Sequence, residues 1–324
     1  MAEQTTRATI SGFVMPDASV GTKFTDTLDI DQEAHRLYMG DTWSGGVDVF
    51  DITTSEPKLL QTIRMRGNLF GVAVAKNVNR VFAGLANSAV AVIDIDPASP
   101  QFNKVIARVD TGGRGAADLI DYDPVHRKLY SANRNDGFMV AIDAVKNEVV
   151  GRIAGLGGGL EQPRYNPADG MVYLAGNTDN VLYQVDAVKD VLVNTFTIDD
   201  PCHPNGLAIN PATNHALLAA SNREHPRTVI WDLNTQKIAS VIEESGCGDG
   251  AIYSAKVDRF FFAASGFTGG PVMGIFGGNP VKFLTNVPTE RGASWVAFDE
   301  TNNIVYAPAI RAGKPALISF PLPV

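Results

Sequence analysis

Four carboxylates and one amide recur at a nearly constant interval along the chain. Asp26, Asp118, Glu161, Asn205 and Asp249 share one register with Phe70 and Ser294, and successive members stand 44, 48, 43, 44, 44 and 45 residues apart. With 19% of residues charged overall, four acids in seven equivalent places is more than a bland structural position would carry. If the chain brings these positions together, the carboxylates repel. At a separation of roughly 7 Å and an effective dielectric of about 20, each pair costs about 2 kcal/mol. Protonation or a bound cation relieves that strain. Carboxylates with a neutral amide oxygen are hard ligands of the kind Ca²⁺ and Mg²⁺ accept, and Ca²⁺ tolerates the more irregular set. His203 lies two residues before Asn205. As a ligand it would shift the choice toward Zn²⁺, Mn²⁺ or Fe²⁺; otherwise it suits a general acid or base beside the carboxylates.

The elements that carry these residues follow from the same interval. After each register position comes a short apolar strand, an Asp- or Asn-containing turn, and a second apolar strand usually bearing Tyr or Phe. The phrase reads TLDIDQEAHRLYMGD from Thr27, GVAVAKNVNRVFAGL from Gly71, LIDYDPVHRKLYSAN from Leu119 and QPRYNPADGMVYLAGN from Gln162. It returns as GLAINPATNHALLAAS from Gly206, GAIYSAKVDRFFFAAS from Gly250 and WVAFDETNNIVYAPA from Trp295. A third strand often closes on aspartate, as at Asp51, Asp94, Asp143, Asp186 and Asp232, and a fourth follows. Four strands in a repeat near 45 residues is the period of a propeller blade.

The expectation is therefore an all-β, seven-bladed β-propeller occupying residues 1–324 as a single domain, with blades beginning near 24, 68, 116, 159, 203, 247 and 292. The seventh copy supplies only three strands, so residues 8–16 are expected to complete it and close the ring. In such a ring the register positions surround one mouth of the central channel, and the second-to-third strand loops rim the same mouth.

Two resemblances follow from these residues. LYSAN followed by MVAID, and LYMGD followed by VDVFD, resemble the YVTN-type seven-bladed propellers over nearly the whole chain. That implies the fold and leaves function open, because the architecture hosts lactonases, lyases, electron-transfer subunits and plain interaction surfaces. Asn205 in PNGLAI and Asp249 in GDGAIY are similar to strand starts of the gluconolactonase and senescence-marker-protein family, and Glu161 in EQPRYN is similar to its Glu-x-Pro start. The second resemblance implies metal ligation by Glu161, Asn205 and Asp249. That family departs from this chain in having six blades, with its Glu in the first.

Other residues add detail. Arg134, Arg223 and Arg311 in rim loops could hold a carboxylate or a developing oxyanion through forked donors, or form inter-blade salt bridges, and Trp43 could stack on a ligand. Asp118 or Asp26 could move a proton. His35, His126 and His215 fall in first-to-second strand turns, where solvent-facing roles are expected. Cys202 and Cys247 precede adjacent register positions and are too few for a disulfide framework. The run Gly155 to Gly159 lacks the Lys-Ser/Thr of a phosphate loop and reads as a lip beside Glu161.

Composition excludes other classes. The net charge of −8 opposes a polyanion, so nucleic acid is not an expected partner. No 18-residue apolar run suggests a membrane span. The chain is expected to be soluble and cytoplasmic, or periplasmic or secreted had a signal peptide been removed. The expected function is a metal-dependent enzyme, with Ca²⁺ first among the cations, acting on a small oxygenated molecule at the channel. Lactone hydrolysis, or a lyase or isomerase reaction on a carbonyl compound, would use these parts. The alternative is a non-catalytic propeller that binds a protein or ligand on its rim and holds at most a structural cation.

Overall fold

The computed structural model describes residues 9–15, 25–65 and 67–323. Among them the chain forms seven four-stranded antiparallel sheets, with one 3₁₀ turn, Lys76–Val78, as the only helix. Each sheet is one copy of the sequence repeat. In the first, Thr25–Asp31 pairs with Arg36–Asp41, which pairs with Gly46–Asp51, which pairs with Lys58–Arg64. The expected start of the first blade near residue 24, and the ends of the closing segment at 8 and 16, lie outside the described residues.

Six sheets run in sequence order from the channel outward, and the last is assembled from both ends of the chain. Its inner strand Ala297–Asp299 is followed by Ile304–Arg311 and Lys314–Pro321, and Ser11–Val14 then adds antiparallel to the outside. Ser11 stands opposite Ser319, and Val14 opposite Ala316. This is the closure expected from the incomplete seventh repeat.

The burial pattern explains why these segments are strands and which surfaces pack. The two middle strands of a blade carry near-continuous apolar runs and are buried on both faces, as in Arg36–Asp41 and Gly46–Asp51. The outermost strands, such as Val191–Thr197, are largely exposed. The core lies between blades. Tyr38, Val47 and Val49 of the first pack against Leu69, Val81 and Ala83 of the second, and similar clusters recur around the ring.

The aspartates that close strands build turns. Asp143 Oδ1 accepts the N–H groups of Val145 and Lys146, both at 2.9 Å, and Asp186 does the same for Val188 and Lys189. Asp31, Asp123 and Asp299 repeat the pattern after inner strands. These are Asx turns, in which a short carboxylate satisfies the backbone donors of a tight reversal. Much of the acidic excess is therefore spent on turn geometry.

Side chains of the inner strands also tie each blade to the next. Thr27 Oγ1 accepts the N–H of Val72, Asp29 Oδ2 that of Val74, and Asp121 Oδ2 that of Tyr165. The three histidines expected to face solvent are half-buried instead. His126 Nδ1 lies 2.6 Å from Asp123 Oδ2, and its ring meets Tyr165 edge-on.

Candidate functional site

The channel mouth at the start of the inner strands gathers the register acids around an arginine. Arg134 leaves the loop between its blade's second and third strands and places Nη1 3.1 Å from Asp118 Oδ2 and Nη2 2.5 Å from Glu161 Oε1. Both acids are buried, at 3% and 1% exposure. Glu161 Oε1 is held in an ion pair without hydrogen-bond alignment, so a buried oxygen remains unsatisfied. The guanidinium thus pairs with one of the three donors for which the sequence suggested a metal ion.

The backbone fixes this loop. Leu160 N–H donates to the carbonyl of Arg134 at 3.0 Å, and Asn177 N–H donates to that of Gly159 at 3.0 Å. Gly159 has a φ of 67°, and a Cβ there would run into Thr178 Oγ1. Glycine is required at this position both by its left-handed backbone and by space.

Burial sets the electrostatics. It pushes the Glu161 carboxyl up to about 9, assisted by the charge of Asp249 and opposed by Arg134. Asp249 is raised to about 6, first by burial and then by Asp118, while Arg134 and a hydrogen bond from Asn205 pull it back. Asp26 is driven well above the usual carboxylate range by burial, Asp118 and Asp249. Asp118 is also raised by burial, against the pull of Arg134. Burial works against the charge of Arg134, but the carboxylates of Glu161, Asp118 and Asp249 overcome it and hold the guanidinium protonated.

Beside this cluster lies a cavity of about 330 Å³, walled by Arg134, Arg223, Asp249, Asn205, Asn177 and Ser221, with Cys247 and Ser265 at its side. Asp249 is the carboxylate among its lining residues, which also include two arginines. Asn177 Nδ2 donates to Asn205 Oδ1 at 2.5 Å, to Ser221 Oγ at 2.9 Å and to the carbonyl of His203 at 2.9 Å. Burial raises the Cys247 thiol, and the charge of Arg223 acts in the opposite direction. Cys202 and Cys247 are both free and buried.

The remaining candidates from the sequence divide between the cavity and positions outside it. His203 does not line the cavity. Its Nδ1 lies 3.0 Å from the carbonyl of Asn177, to which it donates. Its backbone carbonyl instead accepts from Asn177 and Ser221. Arg311 is committed to both oxygens of Glu290, at 2.7 and 2.5 Å. Of the donors expected for a metal, Glu161 is paired with Arg134 and the Asn205 oxygen with Asn177. Among the described residues, no group of three or more His, Cys, Asp or Glu side chains is disposed to hold a metal ion.

Two residues that sequence reasoning passed over reach across neighbouring blades below this mouth. Gln162 Nε2 donates to the carbonyl of Ala251, two blades away, at 3.1 Å, and its Oε1 accepts from Leu207 N–H at 2.8 Å. Arg164 reaches the carbonyls of Leu207 and Ala251 at 3.0 and 3.2 Å. The signal was present in the repeat. At the first position of the phrase, three blades carry Gly71, Gly206 and Gly250, where two others carry Gln162 and Trp295. A Cβ on Gly250 would strike the Trp295 ring, so small residues on some blades make room for large ones on others.

The fold and this site define the class: the protein is a seven-bladed β-propeller with a polar chamber at one mouth of its channel. Among solved structures it is similar to a chain of the mitotic checkpoint complex, with a TM-score of 0.77 and 14% identity over 98% of this chain and 92% of that one. It is also similar to a chain of Kuenenia stuttgartiensis hydrazine synthase, with a TM-score of 0.75 and 14% identity over 94% of this chain and 98% of that one. At that identity the likeness is one of fold alone. No protein-family model matches the sequence, and no curated protein matches it. Among the described residues no helix is long and apolar enough to cross a membrane.

Proposed function

We propose that the chamber beside Arg134 is an acid–base active site for a small oxygenated molecule carrying a carbonyl group, with lactone hydrolysis the first reaction to test and isomerisation or elimination next to the carbonyl the second. The observation that carries this reading is the position of Asp249. It lines the chamber together with Arg134 and Arg223, and its carboxyl is raised to about 6. A base that titrates just below neutrality is ionised in use yet basic enough to take a proton from water or from carbon. Forked guanidinium donors suit the oxygen on which negative charge develops. Asp118 and Glu161 act as positioning residues, because they hold Arg134 from behind. Asn177, Asn205 and Ser221 supply the polar wall that would orient hydroxyl groups.

The resemblance to the gluconolactonase and senescence-marker-protein family is the reason to put lactones first. In the metal-dependent form of the reading, Glu161, Asn205 and Asp249 would be the ligands. With Arg134 paired to Glu161 that donor set does not fit a cation, and the reaction is written without one.

The test is a screen of sugar lactones, simple γ-lactones and small keto and hydroxy acids. Activity should rise with pH through about 6, because the ionised form of Asp249 is the active one. Asp249→Asn should cost about 10²-fold or more in kcat. Full activity in Asp249→Asn would sink the assignment. Stoichiometric ligand binding with no turnover would make the chamber the recognition site of a non-catalytic propeller. A melting temperature that rises with Ca²⁺ in wild type but not in Glu161→Gln would restore the metal form.

A further inference from the structure

The channel holds a second chamber, at the mouth that carries the first-to-second strand turns. Its volume is about 320 Å³, at the small end of the roughly 300–1,000 Å³ typical of ligand pockets, and all seven blades contribute to its wall. Gln162 and Arg164 link the fourth, fifth and sixth blades between this chamber and the Arg134 site. The two chambers share no lining residue.

The wall has two characters. One part is apolar: Val72, Ile120, Ile209 and Ile252, with the indole of Trp295. The other is acidic, with Asp29, Asp121 and Glu300 against Arg164 as the cation. Arg164 is already spent, since its Nη1 lies 2.6 Å from Asp121 Oδ1. Asp29 accepts the N–H groups of Ile30 and Val74, both at 2.8 Å, but among the described residues no Lys or Arg forms an ion pair with it. Glu300 Oε1 accepts the Ser254 hydroxyl at 2.6 Å and likewise has no ion pair among those residues. Burial raises the Asp29 carboxyl to about 6, with the backbone N–H bonds and the more distant Arg164 opposing the shift.

We propose that this chamber binds a small organic ammonium, a protonated amine on an apolar or aromatic body. A half-buried carboxylate without an ion-pair partner gains from a ligand that brings a counter-charge to it inside the chamber. An anion would meet the carboxylates of Asp29 and Glu300, and a neutral apolar molecule would leave Asp29 without a counter-charge. The ammonium donates to Asp29, while Trp295 and the isoleucines enclose the body. Trp295 contributes aromatic area to the wall.

Calorimetric titration of the whole chain with phenethylammonium tests this, with 2-phenylethanol and phenylacetate as neutral and anionic comparators of similar shape. One phenethylammonium should bind per chain, at least about tenfold more tightly than 2-phenylethanol, and phenylacetate should not bind. Asp29→Asn should remove the preference for the amine. Ile252→Trp, which fills the chamber from its wall, should abolish binding; it decides the matter if Asp29→Asn does not fold. Asp249→Asn, at the other mouth, should leave binding unchanged, so failure here is distinct from failure of the proposed active site. The proposal is overturned if wild type does not bind, if amine and alcohol bind equally, if Ile252→Trp still binds, or if Asp249→Asn abolishes binding.

Discussion

Arg134 is held by charge on two sides, and that arrangement has a pH signature. Asp118 and Glu161 are buried, and the guanidinium 3.1 and 2.5 Å away opposes the rise that burial gives their carboxyls. Replacing it in Arg134→Leu leaves the two acids to ionise alone or to take up protons. Breaking a fully buried pair costs roughly 3–5 kcal/mol, but the Arg134 side chain is 43% exposed, so a loss of about 2 kcal/mol is expected near pH 8. The sign with pH follows from the raised carboxyls. Glu161 moves from its ordinary 4.5 to about 9, so the folded state binds more protons than the unfolded chain between those values, and its stability falls as pH rises through them. Toward pH 5 the acids of the variant are neutral and the missing guanidinium matters less. Thermal melts at pH 5 and pH 8 should therefore show wild type and Arg134→Leu converging at the lower pH. Equal destabilisation at both would mean that Arg134 contributes packing rather than charge.

At the level of elements, the loop from Gly155 to the strand Leu160–Asn166 carries the precision of the site. Gly159→Ala would force a side chain into a left-handed backbone at φ 67° and into Thr178, at a cost of about 1–2 kcal/mol. It would also shift the two backbone bonds that hold Arg134 and Asn177. Melting and any activity found by the substrate screen should fall together, and an unchanged melt would show that the loop tolerates the shift. Elements of this kind were the least legible in the sequence. The blades were readable because a repeat imposes one period on apolar runs, turn residues and register acids alike, so the period alone places Asp26, Asp118, Glu161 and Asp249 at one mouth. Arg134 could be assigned to the rim but not to its partners. It lies 16 residues after Asp118 and 27 before Glu161, distances set by one loop rather than by the period. His203, absent from the cavity lining, was hard to place for a related reason. Its closeness to Asn205 in sequence suggested a shared site, yet a left-handed residue, at φ 51°, turns its ring to the carbonyl of Asn177. Gln162 and Trp295 stood where other blades have glycine, a size mismatch whose meaning appears only when the strands face one another across the channel.

At the scale of the molecule, a ring of seven sheets is only as strong as its seam. Six blades are each continuous in sequence, while the last depends on Ser11–Val14 pairing with Lys314–Pro321, so one short strand links the two ends of the chain. The strand is tied by more than its ladder. Phe13 meets Phe50 of the first blade edge-on with ring centroids 5.7 Å apart, Met15 N–H donates to the carbonyl of Pro315 at 3.0 Å, and Ile10 packs on the core beneath the last blade. The closing segment thus spans the boundary between the last blade and the first. A variant lacking residues 1–15 would lose these contacts and leave the Lys314–Pro321 edge unpaired, a template for another strand. Its melting temperature should drop by several degrees or more, since 1 kcal/mol shifts a domain of this size by only about 2–4 °C. It should also self-associate as its concentration rises. A synthetic peptide spanning residues 8–16 should reverse both effects by refilling the edge, with the gain in stability growing with peptide concentration as mass action requires. A truncated chain that stays monomeric and melts with wild type would show that the three remaining strands suffice to close the ring.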